Sequence, residues 1–220
     1  MLLLLDLDGV VVFEASPPQV QAMEILLLHE LLGEMLTELA LPVVVLTHRS
    51  RREATRILRA AGLEEGRELA GVMAAEDLFQ AALRHGGPLR LLSRGLRKSW
   101  ILPVIEQRFG VPRGKIAFID DRLDNLEDLL AHGIGLGLHA PSAIADDGAS
   151  LTSFDIRELV SQLREWQAAP RKPGLITLRP QQYDLMAWRR TGLHTRHEGR
   201  HAFNLARATA RRVRALLSRG

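Results

Sequence analysis

The chain contains no cysteine. This excludes disulfides, a thiolate zinc site and a cysteine nucleophile, and it fits a reducing cytoplasm, the expected location. Long apolar runs are missing too, and nothing in the sequence is suited to crossing a bilayer. Residues 1–5 are apolar but lack a basic leader. Asp6 and Asp8 interrupt them early, so they are not expected to act as a signal peptide. Acids are scarce in one region. Residues 170–220 hold 2 Asp+Glu against 12 Lys+Arg, a net of +10, whereas residues 1–169 hold 24 against 17, a net of −7. The formal charge of +3 over all 220 residues conceals this polarity. An apolar content of 46% with 25% charged residues is ordinary for a globular protein. The expected organisation is one core domain, residues 1–169, and a basic, helical extension, residues 170–220.

What is present is concentrated at the ends of short apolar runs. Residues 2–7 read as a buried parallel strand that closes on two acids, Asp6 and Asp8. Two residues apart on an extended chain, their side chains point the same way, and Gly9 then permits a sharp turn. Open α/β sheets place ligands at the carboxyl ends of such strands. Residues 43–47 form a second apolar run, ending in Thr47 and followed by His48 and Arg49. A third, residues 116–119, leads into Asp120 and Asp121. Lys98 opens an apolar-periodic helix over residues 98–109. Helices are also expected over residues 18–40, 51–61, 123–132 and 155–167, with a strand over 134–139 and a further strand and helix within 66–96. Strands alternating with helices predict an α/β fold with a doubly wound parallel sheet. Gly62, Gly110 and Gly133 each follow a periodic run and read as helix stops. Gly133, Gly135 and Gly137 follow a helix rather than preceding one, so they read as a glycine-rich strand and not as a dinucleotide loop.

The order of these segments resembles the haloacid dehalogenase (HAD) superfamily: Asp6-Leu7-Asp8-Gly9-Val10, an apolar strand ending in Thr47, Lys98, and an apolar strand ending in Asp120-Asp121 with Asn125 beyond. The likeness spans residues 6–125 and extends to about 145. It differs from the commonest fourth motif in carrying Asp120 in place of Gly and Asn125 in place of the last Asp. The resemblance implies a Rossmann-like core and a phosphohydrolase that forms an aspartyl-phosphate. It implies Asp6 as nucleophile and Asp8 as general acid and base. Mg²⁺ would be held by Asp6, Asp120, Asp121 and the main-chain carbonyl of Asp8. Thr47 and Lys98 would hold the phosphoryl oxygens, with His48 and Arg49 as further substrate contacts. The chemistry is coherent, because a carboxylate attacking an anionic phosphate needs a cation between them. Plainer readings stand beside it. Thr47 can cap the next helix, Lys98 can belong to a basic solvated face with Arg94, Arg97 and Arg108, and His48 and Arg49 can be merely exposed. Asp124 is read as a helix cap rather than a metal ligand.

Between Asp8 and Thr47 lie 38 residues, and between Thr47 and Lys98 lie 50, room for core elements but not for a cap domain. A capless, open site favours a large substrate, a neighbouring subunit or the chain's own tail as its cover. Pro170, Pro173, Gly174 and Pro180 suggest a linker over residues 169–180. Beyond it Phe203, Ala206, Ala210, Val213 and Leu217 recur at helical spacing among arginines. Such a helix can bind nucleic acid, an acidic protein face, a second chain in a homo-oligomer or a membrane surface. His197-Glu198-Gly199-Arg200-His201 matches a zinc pattern literally but has basic flanks and no downstream ligand, and it is set aside. The expected function is hydrolysis of a phosphomonoester, with a nucleotide or nucleic-acid end as the first candidate. The alternative is a non-catalytic assembly subunit that keeps the fold and works through its tail.

Overall fold

Leu2–Leu5 (β1) forms the centre of the molecule, and every side chain on it is buried. The structure is a computed structural model and describes residues 1–15, 23–27, 38–144, 150–169, 173–184 and 195–197. The first strand pairs in parallel with Val43–Leu46 (β4) on one side and Ile116–Asp120 (β6) on the other. Gly71–Met73 (β5) extends the sheet beyond β4. Leu136–His139 (β7) and then Gly174–Thr177 (β10) extend it beyond β6. The result is a six-stranded parallel sheet of order β10-β7-β6-β1-β4-β5.

The alternation of strand side chains divides the core in two. Leu3, Leu5, Val43, Val45, Ala117 and Ile119 face one way. They pack against Arg51–Ala60 (α1), through Ala54, Ile57 and Leu58, and against Ile156–Ala168 (α6), through Leu159, Leu163 and Trp166. Leu2, Leu4, Val44, Leu46, Ile116 and Phe118 face the other way. They meet Ala75–His85 (α2), Leu102–Phe109 (α4) and Leu123–Ala131 (α5). Between α2 and α4 lie Gly87–Arg94 (α3) and a 3₁₀ turn, Lys98–Ile101. Continuous apolar runs, whose successive side chains face opposite ways, flanked by helices with one apolar face each, are buried on both sides in this sandwich. The expected doubly wound fold is what forms.

The sheet order reverses between β1 and β6, so the crevice at their carboxyl ends is the ligand position of this architecture. Helix ends tighten the frame there. Ser50 caps α1 by accepting from the Glu53 N–H, and its hydroxyl meets the Glu53 carboxylate at 3.0 Å. Thr47 is therefore not the cap of that helix. Asp124 lies inside the first turn of α5 rather than at its cap, and pairs with Arg122 at 2.7 Å.

Three expectations change. Residues 18–40 are not one helix: Met23–Leu27 (β3) is a strand, antiparallel to Val12–Ala15 (β2), while residues 18–22 and 28–37 lie outside the described residues. The stretch 169–180 is not a linker, since β10 inside it is a strand of the main sheet and Leu178 is fully buried. The described parts of the extension are strands rather than helix. Pro180–Asp184 (β11) pairs with Ser150–Phe154 (β9), which also pairs with Ala143–Ile144 (β8), and Thr195–His197 (β12) pairs with β3. His197 of the literal zinc pattern is thus on a strand, whereas that pattern works from a helix. The seam over residues 203–217 lies outside the described residues. Among the described residues no helix is long and apolar enough to cross a membrane.

One glycine marks how closely the layers meet. A Cβ on Gly135 would run into the Gly114 carbonyl and the Trp166 ring. Gly135→Ala is expected to lower stability by about 1–3 kcal/mol, the usual cost of overpacking. Urea unfolding of the purified variant measures it.

Candidate active site

The sheet delivers its polar residues to one place. β1 ends at Leu5, and Asp6 comes next with its amide donating to the Ile119 carbonyl of β6 at 3.0 Å. Asp6 is held in that register and is 5% exposed. One of its carboxylate oxygens accepts from the Leu7 N–H at 2.7 Å. The other lies 2.8 Å from Lys98 Nζ. The same ammonium lies 2.6 Å from Asp120 Oδ2 at the end of β6. Lys98 is buried, and Phe118 adds a ring face 5.1 Å from its charge. The solvated-face reading of this lysine therefore fails. The side chain joins two acids from two strands.

Asp120 is the most closely held of the acids. Besides Lys98 it accepts from the Arg122 N–H at 2.8 Å and from Asn125 Nδ2 at 2.9 Å. Asn125, known from the sequence only as the end of a motif, thus orients a carboxylate. Asp121 is oriented through its backbone, where His139 Nε2 donates to its carbonyl at 3.1 Å. Nothing in the sequence singles out His139. Its role comes from the β6–β7 register, which places it opposite Asp120. Gly9 completes the floor. Its φ of +75° suits glycine, and a Cβ there would collide with the Asp121 carboxylate.

Thr47 and Arg49 come from the end of β4. Thr47 is fully buried, and its hydroxyl accepts from the Arg49 N–H at 3.1 Å. Arg49 is also buried, and its guanidinium grips Asp8 through Nε at 2.9 Å and through a terminal nitrogen at 2.7 Å. Asp8 remains half open to solvent, its side chain 39% exposed. His48 sits exposed at the rim. Part of its ring reaches solvent, yet the protein packed around it, and then the Lys98 charge, disfavour the imidazolium and lower its pKa from the ordinary histidine value, so it is neutral at pH 7.

Oxygen atoms of Asp6, Asp120 and Asp121 lie within 4.8 Å of one another. The Asp8 side chain is not part of that group. All donors are carboxylates, the chemistry of a hard divalent cation such as Mg²⁺. Charge balance points the same way. Four carboxylates face Lys98 and Arg49, a formal excess of two negative charges. Two of these acids, Asp6 and Asp121, are shifted toward the protonated form. Burial first raises Asp6 well above the ordinary carboxylate range; Lys98 opposes the rise, while Asp120 and Asp8 add to it. Burial and then Asp120 lift Asp121 to about 6. Burial works against the charge on Lys98, but Asp6 and Asp120 outweigh it and raise its pKa.

No family model matches the chain, and no curated protein matches it. Solved structures do. A 3-deoxy-D-manno-octulosonate 8-phosphate phosphatase from Moraxella catarrhalis, in complex with magnesium, phosphate and KDO, is 16% identical. The match covers 62% of this chain and 66% of that one, with a TM-score of 0.39. A protein from Mesorhizobium loti classed as a HAD-like phosphatase is 19% identical over 78% of this chain and 88% of that one, with a TM-score of 0.46.

The raised carboxyl pKa values set a pH dependence with a definite sign. The folded protein holds protons that the unfolded chain releases above pH 4, so the contribution of these acids is favourable at low pH. It is lost as pH rises through about 6, the Asp121 value. Without metal, the melting temperature is expected to fall between pH 5 and pH 7.5 on their account. Mg²⁺ should reverse the trend, raising stability by about 2.7 kcal/mol at a hundred times its Kd at pH 7.5 and by less at pH 5. Differential scanning fluorimetry across pH with EDTA or Mg²⁺ checks both halves.

Proposed function

We propose that the chain is a HAD-type phosphomonoester hydrolase of the capless kind, dependent on Mg²⁺ and working through an aspartyl-phosphate on Asp6. One observation carries this reading. A buried carboxylate at the carboxyl end of the central strand is held 2.8 Å from a buried lysine, with two further acids close enough to share a cation. A stable core has no need of such a group, since unbalanced buried charge is costly.

The residues take complementary roles. Asp6 attacks phosphorus, the bond to the leaving oxygen breaks, and Asp8 supplies the proton that the departing alcohol takes. Asp8 then removes a proton from water as the water cleaves the acyl phosphate, which restores both acids. Lys98 and Thr47 hold phosphoryl oxygens and balance charge in place, worth on the order of 10²–10³ in rate for one such contact. Asp6, Asp120 and Asp121, with the Asp8 carbonyl, would hold Mg²⁺, which supplies charge neutralisation between the nucleophile and the phosphate. Arg49 has two tasks. In the structure it fixes Asp8, and a phosphate dianion offers the same guanidinium fork a stronger bidentate partner. Its transfer to phosphate would free Asp8 to carry a proton. His48 at the rim, neutral at pH 7, can contact the rest of the substrate.

The capless reading is supported by the segment after β1, where an antiparallel strand pair, β2 and β3, stands in place of a separate folded unit among the described residues. The pairing of β12 with β3 supports a tail that returns to its own chain. The basic extension and open site favour a nucleotide or a nucleic-acid end as substrate. A scaffold without activity would have no use for Asp8, Lys98 and the acid group together.

p-Nitrophenyl phosphate should be hydrolysed with Mg²⁺ and not with EDTA; no turnover in either case would favour the assembly subunit. Asp6→Asn should abolish turnover while the metal-free protein melts no lower than wild type, because a buried charge has been removed. Asp8→Asn should slow poor leaving groups far more than good ones, and equal losses would assign Asp8 to positioning alone. Lys98→Met should cost about 3–5 kcal/mol of stability without metal, the cost of stranding buried acids.

A further inference from the structure

The β2–β3 pair stands apart from the main sheet. It belongs to a separate sheet of order β12-β3-β2, which shares no strand with the larger one. β2 has 4 residues and β3 has 5. Two strands of that length are marginal in water, and a third is what lets such a sheet hold. Here the third is β12, from the far end of the chain. Thr195, Arg196 and His197 pair with Ile25, Glu24 and Met23, so β3 lies in the middle with a neighbour on each side.

The β2 edge of this small sheet leads straight into the active site. β2 starts at Val12, and the turn just before it carries Asp8 and Gly9. Backbone hydrogen bonds close that turn. The Gly9 N–H donates to the Val12 carbonyl at 2.7 Å, and the Val11 and Val12 N–H groups donate to the Leu7 carbonyl, both at 3.0 Å. Asp8 and Val12 form a β-bridge there. The placement of Asp8 thus depends on the first residue of β2 staying where it is. Asp6 does not share that dependence, because its amide is bonded to Ile119 of the main sheet. The Asp8 side chain has a second hold in Arg49. On the reading given above, that hold is released when the guanidinium turns to phosphate, and the backbone turn is then what keeps Asp8 in place.

We propose that β12 is a positioning element of the active site: by completing the small sheet it steadies β2 and, through Val12, the turn that carries Asp8. The carboxyl-terminal segment then acts on the proton carrier and leaves the nucleophile alone. The mechanical coupling stands on backbone pairing, and only its effect on turnover rests on the phosphohydrolase reading.

The test uses the full-length protein and the double variant Thr195→Pro, Arg196→Pro. Proline has no N–H to give to a strand ladder, so the pairing with β3 is lost. Thr195→Val with Arg196→Val keeps an extended backbone and serves as control. Amide hydrogen exchange, followed by NMR, should be about tenfold faster at Gly9, Val11 and Val12 in the proline variant, and unchanged at Leu3 and Asp6 of the main sheet. The valine control should exchange like wild type at all five. At saturating Mg²⁺ the proline variant should lose about tenfold in turnover of phenyl phosphate and less than about threefold with p-nitrophenyl phosphate, because a loosened general acid matters more to the poorer leaving group. Wild-type exchange at Gly9, Val11 and Val12 in the proline variant would overturn the proposal. Faster exchange at Leu3 and Asp6 as well would overturn it too, since β12 would then support the whole fold. So would equal losses on the two esters, or a valine control as loosened as the proline variant. Faster exchange confined to the turn, in a protein that hydrolyses no phosphate ester, would leave the coupling standing and refute the catalytic reading instead.

Discussion

Everything at the switch point of the sheet depends on one ammonium group. Lys98 Nζ lies 2.8 Å from a carboxylate on β1's end and 2.6 Å from one on β6's end. Without it, two adjacent strands would finish in facing, buried negative charges. With it, the two strand ends are cross-linked by charge at the point where the topology opens a crevice. The ammonium is not free to move. A 3₁₀ turn and then α4 fix its backbone, and Phe118 lies beneath its charge. A buried pair of this kind adds little net stability, since desolvation consumes most of the attraction. What it supplies is position: a carboxylate held rigid, partly neutralised and facing the crevice.

The surrounding acids carry that logic further. Asp120 has both oxygens engaged, by Lys98, Asn125 and the Arg122 amide, so its orientation is set before any ligand arrives, and Oδ1 keeps an acceptor site for a cation. Asp121 has space only because Gly9 has no side chain. Asp8 stands apart, tied to Arg49 rather than to the metal-type group. The site therefore divides into a dry, fixed half made by β1 and β6 and a wetter, exchangeable half made by Asp8, Arg49 and His48. Chemistry that needs a fixed nucleophile and a proton carrier in contact with water can use such a division.

Legibility in the sequence depends on which forces are local. Asp6, Thr47, Lys98, Asp120 and Asp121 were readable because each ends or opens an apolar run, and burial of the run dictates where its end lies. The Arg49–Asp8 clamp was not, because the partners are 41 residues apart and only strand pairing brings them together. His139 acts through a register that no local pattern encodes. The strand β3 was obscured by a run of leucines that also satisfies a helical period, and its pairing with β2 is a non-local choice. The strand β10 was hidden for the opposite reason. Its few apolar residues stand between prolines and read as a linker, yet β7 supplies the partner that makes them a strand.

That last strand bears on how the protein is made. The main sheet draws its sixth strand from residues 174–177, so a chain emerging from the ribosome cannot complete the sheet until that segment, well after β7, has been synthesised. Until then β7 is a bare parallel edge, with unpaired amides and carbonyls beside the buried Leu136 and Leu138. At about 5–20 residues per second, the interval between the two strands lasts seconds. Within it, the nascent chain exposes a template for pairing with another copy. The stretch that looks like a tether is thus the closing element of the core. A shortened protein that ends before it is a candidate for aggregation whatever becomes of the residues beyond.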